Sequence, residues 1–582
     1  MTPPAATAGA RPELVTESVP RRRPAWIERA TSSDHKSVGV MYIGAALTFG
    51  LAALTALIVM RVQLIVPENT TTDPEIFNRI MSSFAVTGVV LFAIPLALGL
   101  FSYISPLQVG ARGVAFPRLG LLSFWLYVAG GFTIFGSFLW RPSEAGFAAL
   151  PPLSEPLYSN THGVDTWTIG TALAILGLVC CAVNLVVTLR TMRAPGMAWR
   201  RVPVFTWAAN LCGYLVLVCG PVMLAALVML FVDRNYGGVF FDPGYGGAPI
   251  LYEHLAWFFF TGAFAFAVIF AAGVICDVLP PFANKPLFSS RAARACLLAI
   301  AILGPLAWMR NMYSAPIPTA FLVFAMLFAV ALTIPIGLLV FNWVGTIWGG
   351  TLRTRAAPMF AMAAISAMTI GLVGDLAWSL IPVGWQIQNT TAAQGATIAV
   401  FAGAAVLGGF AALHYWMPKI TGRLVGEGLA RFALVAILVG VYVFALMSFF
   451  AGVKGQPVEI YKFYGDEGLN GFNLVASIAA FVMAGGILLE LGNLAYSYAR
   501  GVVVGHDPWG AGTLEWFATS PPPIHNFDVV PDVRSAEPLY DIRRAIRDRT
   551  QTTRQPTRDR TPAPPERQPA GAESGSGVGG TR

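Results

Sequence analysis

Residues 203–232 read PVFTWAANLCGYLVLVCGPVMLAALVMLFV, a stretch of 30 residues without a charged side chain. A helix needs about 20 predominantly apolar residues to cross the hydrocarbon core of a bilayer, so this stretch is long enough for one crossing. Across the whole chain of 582 residues, 55% are hydrophobic and 12% are charged. Because soluble domains carry about a quarter charged residues, this composition predicts an integral membrane protein.

Apolar segments of similar length recur along the chain, and we count twelve of them. Backbone N–H and C=O groups in lipid must be paired inside the segment, so each span is predicted to be a helix and the protein to be all-α. An even number of crossings places both termini on the same side of the membrane. The predicted spans are 39–60, 84–108, 117–140, 167–190, 203–232, 252–280, 294–312, 318–346, 357–382, 393–417, 430–453 and 472–500.

The distribution of basic residues between the loops indicates the orientation. Loops after the even-numbered spans are rich in arginine and lysine, whereas loops after the odd-numbered spans are balanced or acidic. Because basic loops stay in the cytoplasm, both termini are predicted to be cytoplasmic. The formal charge of +8 follows this pattern, so no nucleic-acid partner is expected. The basic residues after the even-numbered spans are Arg112, Arg118, Arg190, Arg193, Arg200, Arg201, Lys285, Arg291, Arg294, Arg353, Arg355, Lys419, Arg423, Arg431 and Arg500.

The two ends of the chain differ from the spans in composition. Residues 1–38 are rich in Pro, Arg and Ala and lack the apolar core of a signal peptide, so a cytoplasmic arm is predicted. The membrane domain is predicted to cover 39–500, followed by a cytoplasmic segment over 501–582. From about residue 540 this segment is charged and rich in Pro and Gly, and disorder is expected there. The six cysteines show no C-x-x-C spacing and are interpreted as small apolar residues of the spans.

Short sequence landmarks follow one another over roughly residues 30–540. They include Asp34-His35-Lys36, Gly110-Ala111-Arg112, Leu251-Tyr252-Glu253-His254, Tyr415-Trp416-Met417-Pro418-Lys419 and Thr513-Leu514-Glu515-Trp516. In their order and spacing, the chain resembles subunit I of bacterial cytochrome c oxidase, of the haem–copper oxidase family. The resemblance implies a twelve-helix membrane bundle of the respiratory chain in the bacterial plasma membrane. It also implies that the lipid bilayer and other oxidase subunits are partners.

The resemblance further implies a low-spin haem, a high-spin haem and a copper ion, all held by inward-facing histidines. Imidazole nitrogen is a usual ligand of haem iron and of copper. None of the six positions that match these ligands is a histidine in this sequence, and none of the replacements offers an imidazole nitrogen. We therefore expect no haem and no metal site. The six residues are Phe84 in span two, Thr261 in span six, Arg310 and Asn311 in span seven, and Ala396 and Ile398 in span ten.

Positions that the resemblance assigns to proton transfer and to binding of the haem propionates also lack the residues that these functions need. The acidic residue expected between spans two and three is replaced by Gly113-Val114, the glutamate of span six by Ala263 and the lysine of span eight by Leu339. The His-Asp pair near a magnesium site reads Gln388-Asn389, and the two propionate-binding arginines read Val458-Glu459. The sequence thus predicts a scaffold that kept its shape and lost its cofactors.

Two charged residues inside the predicted spans stand out. Arg310 lies in span seven and Asp375 in span nine, and a charge within a membrane bundle is costly and usually has a partner. We predict an ion pair between them across the space that the haem and copper would occupy. The alternative is that Arg310 extends toward the outer surface from the end of its span.

Other side chains near this space allow two interpretations each. Phe84 and Phe260 either reach inward and fill the space or face lipid. The polar residues between Gln386 and Thr397 either hydrate the cavity or form a loop and a helix cap. Glu490 is either a protonated packing residue or a contact with a partner.

The surviving histidines are interpreted as hydrogen-bonded interfacial residues rather than ligands. No two of them have the spacing of three or four residues that would place both on one helix face. His414 is expected near the cytoplasmic end of span ten. The six are His35, His162, His254, His414, His506 and His525.

Three functions are consistent with these features. The leading one is a cofactor-free, catalytically silent relative that acts by contact, as an accessory, assembly or regulatory component of a respiratory complex. The competing one is a working oxidase subunit that reduces oxygen and pumps protons, which would need ligands that the sequence lacks. The third is a transporter or small-ligand binder that uses a cavity around Arg310 and Asp375.

Overall fold

The computed structural model describes residues 25–530 and 533–554, and the secondary structure of these residues is helical apart from two isolated β-bridges. Twelve helices are long and apolar enough to cross a membrane. The all-α, twelve-span prediction is confirmed at this level. The helices are α1 (His35–Gln63), α2 (Pro74–Gln108), α3 (Pro117–Leu139), α4 (Gly163–Thr191), α5 (Val204–Tyr236), α6 (Pro249–Ala283), α7 (Ser290–Met312), α8 (Thr319–Ile347), α9 (Ala356–Ser379), α10 (Thr391–Thr421), α11 (Glu427–Val453) and α12 (Asn470–Arg500).

The start of α2 differs most from its predicted limit, since the helix begins at Pro74 rather than at residue 84. Its first two turns contain Glu75, Asn78 and Arg79, so a search for an uninterrupted apolar stretch does not detect them. The Asp73 side chain caps the helix by accepting a hydrogen bond from the Glu75 N–H, and proline at the first position has the backbone angle that a helix needs. As a consequence, Phe84 lies well inside a helix and not at its start.

Two helices contain a π-helical segment close to residues that the resemblance matches to ligand positions. In α2 the segment is Thr87–Ala93, which begins three residues after Phe84. In α10 the segment is Ala402–Leu407, four residues after Ile398. Such segments are rare and are frequently found at functional sites.

Helices α9 and α10 approach each other closely enough for their backbones to touch. A Cβ atom placed on Gly371 would lie 2.7 Å from the Val400 nitrogen and 2.8 Å from the Ala396 carbonyl oxygen. One turn further along α9, a Cβ on Gly374 would lie 2.9 Å from the Ala396 Cβ. Small residues at such contacts let membrane helices pack by van der Waals contact. This contact leaves little room between the two helices beside Ala396.

The expectation of disorder from about residue 540 stays a prediction, and the structure describes a helix over part of that region. A further helix, α13 (Pro538–Arg554), occupies this region. Leu539 is buried, its N–H donates to the Gly512 carbonyl oxygen at 3.1 Å, and Arg543 pairs with Asp507. An apolar side chain and an ion pair thus attach the charged helix to the preceding segment. Residues 1–24 of the predicted arm and 555–582 of the predicted tail lie outside the described residues.

Candidate functional site

The position of the expected low-spin haem ligand in α2 is occupied by an aromatic ring that is partly buried. Phe84 packs in a cluster with Met60, Phe77 and Met81, which come from α1 and the first half of α2. Tyr461 joins the same cluster from the loop after α11. The ring therefore fills space within the protein, and hydrocarbon side chains surround it where a haem-binding site would need a nitrogen donor.

The two expected ligand positions in α10 face different neighbours. Ala396 is buried against α9 at the close approach beside Gly374. Ile398 packs against an apolar cluster that includes Phe444 of α11 and Ala480 of α12. Neither side chain carries a polar atom, so this part of α10 has become ordinary helix-packing surface.

The remaining replaced positions form a small polar network between α6 and the end of α7. The last turn of α7, Trp308–Met312, is a 3-10 helix. The Asn311 side-chain amide donates to the Thr261 hydroxyl oxygen at 3.1 Å and to the Trp308 carbonyl oxygen at 3.1 Å. The Asn311 carbonyl in turn accepts a hydrogen bond of 2.6 Å from the Gln388 side chain. The Thr261 hydroxyl, the Asn311 side-chain N–H group and the Asn311 backbone carbonyl thus all take part in hydrogen bonds within the protein.

Arg310 and Asp375 form a buried ion pair between α7 and α9. The Arg310 Nη1 atom lies 2.6 Å from Asp375 Oδ2, and the two side chains are 4% and 3% exposed. Nη1 also lies 3.4 Å from the Ser379 hydroxyl oxygen, and the guanidinium stacks 5.1 Å from the Trp378 ring. The pair expected from the sequence is therefore present, and the alternative in which Arg310 extends to the surface does not fit its burial.

One polar atom on each side of this pair has no hydrogen-bond partner among the described residues. These atoms are Arg310 Nε and Asp375 Oδ1, and the nearby Trp378 Nε1 also lacks a partner. Buried polar groups are nearly always paired with protein or ordered water. These atoms therefore keep hydrogen-bonding capacity that the described residues do not use, and the cationic group beside them cannot ligate a metal ion.

The donor set does not fit haem or copper. Among the described residues there is no group of three or more His, Cys, Asp or Glu side chains that could hold a metal ion. His254 of α6 already has a hydrogen-bond partner, since its Nδ1 atom accepts a hydrogen bond of 3.0 Å from Trp308 Nε1. The buried His35 contacts the Ser102 carbonyl oxygen and the Asn526 side chain.

Comparison with known proteins places this bundle in a family. The sequence profile described as "Cytochrome C and Quinol oxidase polypeptide I" matches residues 37–482. The chain belongs to this oxidase polypeptide I family. Cytochrome c oxidase subunit 1 of Bacillus subtilis is 34% identical over 529 residues, which cover 90% of this chain and 84% of that protein. The same subunit of Thermostichus vulcanus is 33% identical, with coverage of 88% and 92%.

The fold also matches a solved oxidase. A chain from the cryo-EM structure of a heme-copper terminal oxidase dimer superposes with a TM-score of 0.70 at 15% sequence identity. The match covers 81% of this chain and 85% of the other. At this identity the likeness shows the shared fold of the oxidase family. The six residues that the sequence resemblance matches to ligand positions therefore lie within an oxidase-type bundle.

The polar run before α10 behaves as a loop and a helix cap in this family member. The Thr390 hydroxyl oxygen accepts a hydrogen bond from the Ala392 N–H at the start of α10. The Thr391 hydroxyl donates to the Ser448 carbonyl oxygen, and the Gln388 side-chain oxygen accepts from the Ser314 N–H. These contacts support the cap interpretation, because the polar groups are directed at backbone atoms.

Phe260 faces the protein interior, as the inward interpretation requires. Its ring is 8% exposed and lies 5.1 Å from the Phe147 ring and 6.3 Å from the Trp257 ring. The neighbouring Phe258 is only partly buried and stacks edge-on against Trp308 at 5.7 Å. Aromatic contacts therefore link α6 with the loop after α3 and with the end of α7.

A second buried polar pair was missed by the sequence analysis. His414 of α10 and Glu490 of α12 are 2.7 Å apart between Nε2 and Oε1, with side chains 3% and 0% exposed. The expectation of an interfacial His414 is wrong, and Glu490 has an internal partner. The Phe360 ring of α9 stacks on the imidazole at 5.2 Å, and Asn493 lies within 3.5 Å of the carboxyl. The two residues are 76 positions apart, so neither helix periodicity nor local spacing could have indicated the pair.

Proposed function

We propose that this chain is a cofactor-free, catalytically silent member of the oxidase polypeptide I family. It acts through protein contacts, as an accessory, assembly or regulatory component of a respiratory complex in the bacterial plasma membrane. Its immediate partners in this proposal are the lipid bilayer and other oxidase subunits.

The observation that carries the proposal is the chemistry at the ligand positions. Electron transfer to oxygen in a haem–copper site requires iron and copper held by donor atoms. Here the residues at the positions in α2 and α10 are apolar, and the Asn311 side-chain amide donates a hydrogen bond to the Thr261 hydroxyl oxygen. The sixth position carries a guanidinium that is paired with Asp375, and a positive charge there repels a metal ion. A working oxidase subunit would need a donor set that these residues do not supply.

The role through contacts is supported by how the C-terminal segment attaches to the bundle. Lys419 at the end of α10 donates to the carbonyl oxygens of Ala518 and Thr519 at 2.8 and 3.2 Å. Gln108 at the end of α2 donates to the Glu515 carboxyl at 3.0 Å. The surface on this side of the bundle is thus held in a defined shape, which a docking role requires.

A second candidate function is the binding or transport of a small polar molecule in the bundle interior. The specific observation in its favour is the pair of free polar atoms on Arg310 and Asp375. A ligand with one acceptor and one donor would complete the hydrogen bonding of both groups. Nothing else in the described residues selects a substrate.

Affinity purification of the tagged full-length chain from its native membrane tests the proposal. We expect other oxidase subunits to co-purify with it. Once those subunits are removed, the visible spectrum of the tagged chain should show no haem bands. The matched control is the Bacillus subtilis cytochrome c oxidase subunit 1 handled identically. A tagged chain that carries haem by itself would contradict the silent role, and recovery without any oxidase subunit would favour the small-molecule candidate.

A further inference from the structure

The loop between α4 and α5 gathers four arginines around an open recess of about 470 Å3. Arg190 lies in the last turn of α4, Arg193 follows that helix, and Arg200 and Arg201 lie in the 3-10 turn before α5. None of the four forms an ion pair with a described carboxylate. Among the residues that the structure describes, four positive charges thus share one recess without an ion-pair partner.

Two polar atoms at or next to this recess are buried without a partner among the described residues. They are Nη1 of Arg193, which lines the recess, and Nε1 of Trp207 near the start of α5, whose ring lies 5.4 Å from the Trp199 ring. A buried N–H group without an acceptor costs about 1–3 kcal/mol unless something else binds it. Burial also lowers the pKa of the Arg193 guanidinium, and the positive charge of Arg190 lowers it further. Among the described residues, neither N–H group therefore has a hydrogen-bond acceptor.

The backbone around the recess is fixed by its own hydrogen bonds. The Arg201 side chain donates to the carbonyl oxygens of Gly196 and Val533 at 2.7 and 2.8 Å. Arg294 at the start of α7 donates to the carbonyl oxygens of Arg200 and Val202 at 2.8 and 3.0 Å. The loop is thus held in place before any ligand arrives, which reduces the entropy cost of binding.

Aromatic rings place the recess at the edge of the membrane. The guanidinium groups of Arg190 and Arg193 lie 4.4 and 4.5 Å from the centre of the Trp199 ring. Below them on α5, Tyr214 and Val218 are 38% and 54% exposed and form an apolar surface directed outward. Trp and Tyr concentrate at the boundary between headgroups and acyl chains. A basic recess above an exposed apolar helix face has the two parts that a phospholipid requires.

We propose that this recess binds the headgroup of an anionic phospholipid, whose phosphate contacts Arg193 and Arg200 while its acyl chains lie along the exposed face of α5. A soluble phosphate compound would share the arginine contacts but not the apolar surface. The position at the ends of two membrane-spanning helices favours the lipid. The site is independent of the cofactor content of the bundle.

Native mass spectrometry of the purified full-length chain in detergent tests the site. The chain is titrated with dioleoylphosphatidylglycerol, with dioleoylphosphatidylcholine and with phosphatidylglycerol in the presence of inorganic phosphate. For the unmodified chain we expect phosphatidylglycerol to bind at least about tenfold more tightly than phosphatidylcholine, a difference of about 1.4 kcal/mol. Equal binding of both lipids would overturn the proposal, as would displacement of phosphatidylglycerol by equimolar inorganic phosphate.

A charge-matched pair of variants locates the site. Arg193→Gln/Arg200→Gln should abolish the preference for the anionic lipid. The control Arg112→Gln/Arg355→Gln removes the same charge from two exposed residues of other basic loops. It should leave the preference for the anionic lipid unchanged. If the first variant does not fold, the single variant of the exposed Arg200 (R200Q) should still reduce the preference by about threefold. An unchanged preference in the recess variants, or an equal loss in the control, would overturn the assignment.

Discussion

Arg310 Nη1 and Asp375 Oδ2 lie 2.6 Å apart in a part of the bundle where the two side chains are at most 4% exposed. The pair joins the end of α7 to α9, and the polar contacts of the neighbouring Asn311 continue from α7 to Thr261 of α6. A cationic and an anionic group thus stand where the oxidase family resemblance implies a copper ligand and a haem face. The ion pair therefore has a structural role, since it connects α7 with α9 in the interior of the bundle.

Breaking this pair from one side should destabilise the protein strongly. Asp375→Ala leaves the guanidinium buried without its counter-charge, and we expect a loss of about 3–5 kcal/mol. The double variant Arg310→Met/Asp375→Leu removes both charges and should be much closer to the unmodified chain. The measurement is the midpoint of thermal unfolding in detergent. As a control, Glu75→Gln disrupts the exposed pair of Glu75 with Arg79 and should have little effect. Equal losses in the single and the double variant would contradict a role for pairing.

The contact between His414 and Glu490 should appear as an energetic coupling between α10 and α12. We expect the single variants His414→Phe and Glu490→Leu each to leave a buried polar partner without its hydrogen bond, at about 1–3 kcal/mol. The double variant should lose less than the sum, with a coupling of about 0.5–3 kcal/mol. Chemical denaturation of all four proteins measures the cycle. Strictly additive losses would show that the two side chains do not interact in solution.

The close approach of α9 and α10 makes Gly371 intolerant of a larger side chain. Gly371→Val would place its Cβ against the backbone of Val400 and Ala396, and overpacking of this kind costs about 1–3 kcal/mol. The matched control is Gly337→Val in α8, where a Cβ would meet no atom within 4 Å. Unfolding midpoints of the two variants provide the comparison. If both glycines tolerate valine equally, the helices are farther apart than described.

Glu515 in the segment after α12 should make stability depend on pH. Burial raises the pKa of its carboxyl, while hydrogen bonds from Gln108 and Trp416 partly offset this effect. The Gln108 side-chain amide also donates to the Asp277 carboxyl at 2.9 Å. Because the folded state binds the proton more tightly, its contribution is complete below the unfolded value of about 4.3 and is lost as pH rises through the higher folded pKa.

The variant Glu515→Gln isolates this effect, because it keeps an acceptor oxygen and cannot ionise. Relative to the variant, the unmodified chain should lose stability as the pH rises from about 4 toward neutrality. Unfolding midpoints of both proteins across this range give the difference. The assignment would be contradicted if the difference in unfolding midpoint between the two proteins stayed constant with pH. It would also be contradicted if the unmodified chain gained stability relative to the variant as the pH rises.

The twelve spans could be predicted because lipid imposes one requirement on each of them, which is length with apolar composition. The same criterion failed at the start of α2, where Asp73 and Pro74 begin a helix with polar residues. The criterion does not apply to α13, since a charged sequence with one buried leucine gives no hydropathy signal. Termination and capping depend on single side chains, which composition does not register.

Within the bundle, the Arg310–Asp375 pair was accessible from the sequence because each charge in an apolar span demands a partner. His414 and Glu490 obey the same rule, but His414 was assigned to the interface from its place near the end of a span. The side chain of His414 is buried by its contacts with Phe360 of α9 and Glu490 of α12, which its position along the span does not reveal. Phe84 and Phe260 could be located but not oriented, because a ring is tolerated equally well by lipid and by protein.

The most direct test of the central claim is the haem and copper content of the purified chain, from its dithionite-reduced minus oxidised spectrum, a pyridine haemochrome assay and metal analysis. The replacement of every expected ligand predicts no haem bands, less than about one haem for ten chains and no stoichiometric copper. A spectrum with tightly bound haem in proportion to the polypeptide, accompanied by copper, would contradict the account.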